Sequence, residues 1–448
     1  MSDLVRGDIV QGKGTNELDM SQYPESKWLP QKLEWFQDQK LGFLIHWGLY
    51  SQAGIVESWQ LSEKDEWARE PKAWRESIGQ LKLDYWNLIG EFNPTEFNAD
   101  EWMSLLSDCG FKYGIVTSKH HDGFNLFNTL YSEFKICGKQ SPCKIDLYRE
   151  IMTAIRRHHM AAGVYYSKAD WYSPYYWLDD DEIKGRHVSY DTTQYPEIWQ
   201  RYVDFVHRQI EELTTHYGKI DLLWLDAGWC GEGKEDLQMD LIAEIARKHQ
   251  PELIMVNRAM GGRHENYVTP ERKIPDYHQI PTKPWESNVP IGNDWGYVPD
   301  DTIKSGDELI RTMVEIISKG GNVLFGVGPT PKGTLLAEEV QSLKRLGDWM
   351  KIYSEGIYGT RALKHYQPNG LYFLTQKDHA INLFIDKARC NQKMALDVLL
   401  PSELVSSVQD VQSFSDGKTI EWDAHHITIP DDEAQFPIYG CKIILNKK

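Results

Sequence analysis

Residues 99–124 read ADEWMSLLSDCGFKYGIVTSKHHDGF, and this stretch decides the architecture. In its first half Ala99, Trp102, Met103, Leu105 and Leu106 recur at helical spacing. Gly110 stands where a helix needs a left-handed residue to stop, so the pattern predicts a helix over Ala99–Cys109. The second half opens on a short apolar run, Phe111–Thr117, which predicts a buried strand, and the strand runs straight into a polar cluster. The same alternation extends outward in both directions. Upstream, Leu41–His46 reads as a strand. Downstream come helix Asp146–His158 and strand Ala161–Tyr166. A long helix then starts at Pro196, with Ile198, Tyr202, Phe205, Val206, Ile210 and Leu213 on one face. Strands Ile220–Leu225, Leu253–Val256 and Asn322–Val327 follow, interleaved with helices near 236–249, 307–318 and 336–353. Strands that alternate with helices form βαβ units on a parallel sheet. Seven or eight units predict an α/β fold, a (β/α)8-like TIM barrel with an N-terminal extension over residues 1–355. The second strand is expected near Gln52–Trp59. Beyond Gly356 the texture changes to short strand-like runs (Leu371–Thr375, Ala380–Ile385, Leu396–Leu400, His426–Ile429 and Lys442–Leu445) without intervening helices. That pattern predicts a C-terminal antiparallel β-sandwich over 356–448.

The chain has 448 residues, which suits one large barrel plus a smaller unit. Hydrophobic residues at 41% and charged residues at 26% argue against wholesale disorder. The net charge of −17 disfavours a nucleic-acid backbone or an anionic membrane surface as partner, since both need a basic face. No apolar run reaches the length of a spanning helix. The amino-terminal MSDLVRGDIVQGKGTNELDM is polar and has no apolar signal core. As given, the sequence predicts a cytoplasmic protein, or a periplasmic or secreted one if its start was trimmed. Cys109, Cys137, Cys143, Cys230, Cys390 and Cys441 show no metal-finger spacing and read as buried thiols. The 17 Trp and 23 Tyr suit a pocket that stacks on a ligand while hydrogen-bonding its rim.

A parallel barrel builds its site from the loops at the carboxyl ends of its strands. The residues there are His46-Trp47-Gly48, Lys119-His120-His121-Asp122-Gly123-Phe124, Tyr165-Tyr166-Ser167, Trp224-Leu225-Asp226, Asn257-Arg258 and Trp285-Glu286. Asp226 ends an otherwise apolar run and reads either as a helix N-cap or as a catalytic carboxylate. Glu286 supplies a second acid. Paired carboxylates on a rim rich in Trp, His and Tyr point to glycoside hydrolysis. The dipeptide His-His occurs at 120–121, 158–159 and 425–426, so it is not diagnostic by itself. His158-His159 suit a helix C-terminus. Adjacent side chains on an extended strand diverge, so His120 and His121 are expected to bind sugar hydroxyls and not to chelate an ion together. No metal and no cofactor is expected, because metal-site spacings such as HExxH are absent. The Lys319-Gly320-Gly321-Asn322 turn precedes a strand and lacks GK[ST], which excludes a phosphate loop.

These residues resemble the alpha-L-fucosidases of glycoside hydrolase family 29. Trp35-Phe36 with Lys40–Gly48 is similar to the family's first-strand signature, and Tyr113–Phe124 to its histidine motif. Gly163–Ser167, Asp221–Asp226, Asn257-Arg258, Trp285-Glu286, Trp295-Gly296-Tyr297, Ser318–Leu324, Gly328-Pro329 and Ile357–Thr360 continue in the family's order. The resemblance implies a barrel with a C-terminal sandwich and a retaining exo-hydrolase that releases terminal alpha-L-fucose from fucosylated oligosaccharides or glycoconjugates. It implies Asp226 as nucleophile and Glu286 as general acid/base, with Glu271 the competitor. His46, Trp59, His120, His121, Tyr166, Trp224, Arg258 and Trp295 take the substrate-binding positions.

The sequence departs from the family at three places. Val56-Glu57-Ser58-Trp59 stands for Ala-Glu-Trp-Tyr, so Ser58 falls on the family's Glu. Leu225-Asp226-Ala227-Gly228 stands for Phe-Asp-Gly, and Phe325–Pro329 lacks a polar Asn. The alternatives at this point are an alpha-L-galactosidase or related exo-glycosidase on the same scaffold, and a fucose-binding protein without turnover. Oligomeric state is not specified by the sequence. The sandwich is expected to be structural, with carbohydrate binding as the alternative.

Overall fold

The computed structural model describes residues 20–258, 261–363, 370–390, 393–400, 402–423, 425–430 and 436–446. The polar amino-terminal stretch read above lies outside them up to residue 19. Seven strands form one parallel sheet: β1 Leu41–Ile45, β2 Tyr113–Lys119, β3 Ala161–Ser167, β4 Leu222–Asp226, β5 Ile254–Asn257, β6 Glu286–Pro290 and β7 Asn322–Val327. Their order across the sheet is β5-β4-β3-β2-β1-β7-β6. Chain order and spatial order thus run around a cylinder, with β1 lying between β2 and β7 (Gly42 opposite Tyr113, Leu41 opposite Val323).

The gap between β5 and β6 is filled by an irregular stave. Asn266 donates its backbone N–H to Met255 O at 2.9 Å, and its Oδ1 accepts the Met255 N–H at 2.8 Å. The chain then runs parallel to β6, with Val268 opposite Trp285 and Glu271 opposite Asn288. The Glu286 N–H reaches Val268 O at 2.9 Å, and the Arg272 N–H reaches Asn288 O at 2.9 Å. This stave takes the eighth place. No strand forms near Gln52–Trp59, which corrects the expectation stated above. That stretch folds as helix Leu49–Ala53 and a 3-10 turn, Trp59–Leu61. The facing backbones of β1 and β2 already pair with each other from Gly42–Tyr113 to Ile45–Val116, leaving no slot for a strand between them.

Inward and outward residues alternate along each strand, as a pleated backbone requires. Leu44, Tyr113, Ile115, Tyr165, Leu222, Trp224, Ile254, Val256 and Leu324 fill the barrel, capped by Tyr267 and Trp295. Phe43, Ile45, Val116, Val164, Tyr166, Leu223, Leu225, Met255, Val323 and Phe325 face the helical shell. The helices end where the sequence puts their signals. Asn98 Oδ1 accepts the N–H groups of Asp100 and Glu101 at 3.2 Å, starting Ala99–Asp108, and Gly110 at φ 95° stops it. Asp146 caps Leu147–Arg157, Pro196 opens the helix to His216, and Ser305 with Glu308 forms a capping box on Gly306–Ser318.

The C-terminal part is antiparallel. Its five-stranded sheet joins β8 (Arg361–Ala362), β9 (Tyr372–Lys377), β10 (Ala380–Asp386), β12 (Val408–Ser413) and β14 (Ile438–Leu445). A two-stranded sheet joins β11 (Lys393–Ala395) and β13 (His426–Thr428). The two share a core that includes Leu374, Leu383, Ile385, Ile427, Tyr439 and Ile443. Leu396–Leu400, expected as a strand, folds as a helical turn over Leu396–Leu399, and Val408–Ser413 is a strand that its polar composition concealed. The sheet docks on the barrel through helix Ala337–Tyr353, where the Trp349 indole donates to Ile438 O at 2.9 Å and packs at a tilt against Phe384, ring centroids 5.7 Å apart. All six cysteines are free thiols.

Candidate active site

One pocket opens at the carboxyl ends of the strands, and the residues around it come from many separate elements. His46 follows β1, His120 and His121 follow β2, and Tyr165 projects from the last turn of β3. Trp224 and Asp226 end β4, Arg258 follows β5, Glu271 rides on the irregular stave and Trp295 sits in the loop after β6. Of the residues expected from the sequence, His46, Trp59, His120, His121, Trp224, Asp226, Glu271, Arg258 and Trp295 all line this pocket. Two do not.

The first is Tyr166. It faces the helical shell, where its hydroxyl donates to Gln209 Oε1 at 2.8 Å. Its neighbour Tyr165 takes the inward place and donates to Asp226 Oδ2 at 2.5 Å. One residue of phase separates the two faces of a strand.

The second is Glu286. It is the first residue of β6, at the amino-terminal end of the barrel, fully buried and away from the pocket lining. The Tyr113 hydroxyl, at the same end of β2, donates to its Oε2. Burial raises the Glu286 carboxyl to about 7 against the pull of that hydroxyl. The expectation treated Trp285-Glu286 as a strand end or the loop after it. In the structure Trp285 precedes β6, and Glu286 starts that strand behind the pocket lining, within reach of the Trp224 indole and the Arg258 charge.

Asp226 is gripped from two sides. Tyr165 holds Oδ2, and Arg258 Nη1 donates to Oδ1 at 2.7 Å. Burial opposes ionisation here, but the Arg258 charge, helped by the Tyr165 hydroxyl, outweighs it and holds Asp226 well below the usual carboxylate range. The other terminal nitrogen of the same guanidinium, Nη2, donates to Glu271 Oε2 at 2.5 Å. The remaining oxygen of Glu271 accepts from the Trp295 indole N–H at 3.3 Å. Arg258 lies over the Trp224 ring at 4.4 Å, and Trp224 stacks on Tyr165. Although burial works against its charge, the two carboxylates raise the Arg258 pKa above its ordinary value.

The histidine pair differs from expectation in geometry. The two rings do not diverge: their centroids are 4.1 Å apart and both line the pocket. The β2–β3 register shifts between Thr117 and Lys119, so the backbone is no longer a regular pleat when it reaches them. Each ring is anchored by a hydroxyl, His120 Nδ1 to Ser58 Oγ at 2.5 Å and His121 Nδ1 to Ser167 Oγ at 2.7 Å. Ser167 already donates to Ala169 O, so it accepts from His121 Nδ1–H and leaves Nε2 as an acceptor. Burial drives His120 down to about 3 and His46 and His121 well below the imidazole norm, so all three rings are neutral near pH 7. His120, His121 and Asp226 offer ligand atoms within 4.8 Å of one another, a set with the right chemistry for a cation. The Arg258 guanidinium already neutralises its carboxylate member.

The sequence reading did not single out several residues of the wall. Tyr165 sits directly opposite Trp224 across the β3–β4 ladder, a register that no single sequence displays. Trp67, Arg186, Trp229 and Arg272 lie at the rim and Asn288 also lines the pocket, with no signal in a single sequence to mark them. Arg186 lies over the rings of Trp59 and Trp229. Glu57 is buried in the wall, and its Oε1 accepts the backbone N–H groups of Trp295 at 2.7 Å and Gly296 at 3.1 Å. Burial, with the charge of Asp294, raises it to about 7 against those two donors and Arg272.

The sequence profile of the alpha-L-fucosidase family matches residues 15–355. Tissue alpha-L-fucosidase of Rattus norvegicus is 28% identical over 375 residues, covering 80% of this chain and 76% of that protein. Alpha-L-fucosidase of Dictyostelium discoideum is 27% identical over 345 residues, covering 73% and 71%. Among solved structures, alpha-L-fucosidase isoenzyme 1 from Paenibacillus thiaminolyticus superposes with a TM-score of 0.78 at 28% identity, over 94% of this chain and 100% of that one. The Thermotoga maritima alpha-fucosidase in complex with fucose gives 0.73 at 25%, over 93% and 99%.

Proposed function

This chain belongs to the alpha-L-fucosidase family, and from that premise we propose how its own residues carry out retaining hydrolysis of a terminal alpha-L-fucoside. The observation that carries the assignment is Arg258, whose two terminal nitrogens hold Asp226 and Glu271 side by side. Two carboxyls on neighbouring nitrogens of one guanidinium fit the short spacing of a retaining pair, about 5–5.5 Å. Glu286 begins β6 at the amino-terminal end of that strand and does not line the pocket.

Asp226 is the nucleophile. Arg258 and Tyr165 keep it ionised in a buried site, where a free carboxyl would take up a proton. An Asp226 oxygen bonds to C1 while the C1–O glycosidic bond breaks, and the proton of Glu271 passes to the departing oxygen. In the second half-reaction a water molecule attacks C1, Glu271 takes its proton, and the ester to Asp226 opens. The neutral imidazoles of His46, His120 and His121 suit hydroxyl groups, to which they offer donors and acceptors without a charge to desolvate. Trp295, stacked on His46, gives the apolar wall for the C6 methyl. The substrate we assign is a fucosylated oligosaccharide or glycoconjugate, entering past Trp59, Trp67 and Trp229.

Azide tests the two roles. Asp226→Gly should lose about 10⁴-fold or more in turnover of an aryl alpha-L-fucoside while keeping its fold, and azide should restore turnover by giving the inverted fucosyl azide. In Glu271→Ala, azide should restore turnover with retention. Rescue at Glu286 and not at Glu271, or near-normal turnover by Asp226→Gly, would overturn the assignment.

A further inference from the structure

We propose that Glu57 is a positioning residue for the proton-donating side of the site: it fixes the Trp295 loop, and the Trp295 indole in turn fixes Glu271. The inference rests on the assignment of Glu271 as general acid/base.

Glu57 is 2% exposed and stands between two residues with tasks of their own, Ser58 on His120 and Val56 in the pocket wall. Its φ of 33° lies in the left-handed region that a side chain avoids, so the surroundings impose this conformation. The imposed turn sends the carboxylate to two consecutive N–H groups, Trp295 and Gly296, both on Oε1. The loop they belong to, between β6 and helix Gly306–Ser318, has no sheet or helix ladder to define its place. It is instead pressed against Tyr50, whose ring would lie 2.8 Å from a Cβ on Gly296. The Trp295 ring leaves this clamp stacked on His46, centroids 5.5 Å apart, and its N–H ends on Glu271 Oε1. The path from Glu57 to the acid is therefore two hydrogen bonds and one rigid indole. The other oxygen of Glu271 is held by Arg258, which Asp226 already shares. Trp295 is thus the contact that orients Glu271 independently of the nucleophile.

A residue that acts through the acid has a signature that a merely structural one lacks. Protonation matters when the leaving group is a poor one and hardly at all when it leaves unaided. Three variants, Glu57→Ala, Glu57→Gln and Trp295→Phe, are assayed on alpha-L-fucosyl fluoride and on a fucosyl disaccharide. With Glu57→Ala, turnover of the disaccharide should fall by about 10–10²-fold, the loss expected for a misplaced catalytic group, and the fluoride by at least 10-fold less than that. Gln keeps a carbonyl oxygen that accepts both N–H groups, so Glu57→Gln should recover most of the loss. Trp295→Phe keeps the ring and the clamp but removes the indole N–H, and should show the same leaving-group dependence even if Glu57→Ala does not fold. Equal losses on the two substrates overturn the proposal. So does a Glu57→Gln as impaired as Glu57→Ala, which would make Glu57 itself the acid. Glu271→Gln run alongside separates the two failures: if it shows no leaving-group dependence, the assignment of the acid has failed and not merely its positioning.

Discussion

Replacing Arg258 by Met removes the cation between the two carboxylates while keeping a side chain of similar length. Its charge centre lies about 4 Å from that of Asp226, which at an effective dielectric of about 20 is worth about 4 kcal/mol. At about 1.36 kcal/mol per pH unit this is a shift of about 3 units. The sign follows from the causes acting on Asp226. Burial pushes its carboxyl up and Arg258 pulls it down, so without Arg258 burial prevails and the proton is retained to higher pH. The acid limb of kcat/KM, which reports the free enzyme, should move upward by about 3 units. The right substrate is alpha-L-fucosyl fluoride, whose departure needs no proton donor. Stability shifts too. In the native protein the depressed Asp226 contributes stability above its unfolded pKa of about 3.9, lost as pH falls through the lower folded value. The variant lacks that contribution and leaves buried carboxylates unpaired, at about 3–5 kcal/mol, so rates belong well below its Tm. A folded Arg258→Met enzyme whose acid limb moves by less than about one unit would refute the electrostatic account.

Two further outcomes follow from the same geometry. Tyr165→Phe should lower kcat and raise the acid limb, because it strips a hydrogen bond from Asp226, whereas Tyr166→Phe should leave the kinetics alone and cost about 1 kcal/mol in urea unfolding. A Tyr166→Phe enzyme with the kinetic defect would mean that the two faces of β3 have been exchanged. Glu286→Gln should stay within several-fold of native kcat/KM but change the pH dependence of stability. The folded carboxyl, raised to about 7, binds its proton more tightly than the unfolded one. Native stability therefore falls as pH rises from about 4.5 to 7, by on the order of 3 kcal/mol. The amide has no proton to lose, so thermal melts of the two proteins should separate progressively from pH 4 to pH 8. Parallel melts would refute the burial argument.

What could be read from the sequence was whatever has a period. Six strands and the major helices follow from apolar runs and caps, and His46, Asp226 and Arg258 follow from where those runs stop. The strand β6 escaped because Glu286-Ser287-Asn288 are polar and buried, paired inside the barrel where an apolar run is the usual mark. That omission put Glu286 at the wrong end of its strand. Tyr165 and Tyr166 were indistinguishable because a parallel strand is covered on both faces and its alternation disappears. Leu396–Leu400 shows the converse, since an apolar run of five suits a helical turn as well as a strand. Glu57 acts through a backbone turn at positive φ and through main-chain donors 238 and 239 residues away. No periodicity encodes such a contact.

The barrel is closed on one side by a stave, not by a strand, and the two carboxylates are divided between these two kinds of wall. Asp226 ends a strand laddered to a neighbour on either side, so sliding it by one residue would break both ladders. Glu271 sits on the stave, whose bridges to β6 are isolated. A single insertion ahead of it can be absorbed as a looser loop and still deliver a carboxyl over the pocket. The two carboxyls of the pocket are therefore held with unequal firmness: an insertion can move the one on the stave along the chain, while the one on β4 cannot shift without breaking its ladders.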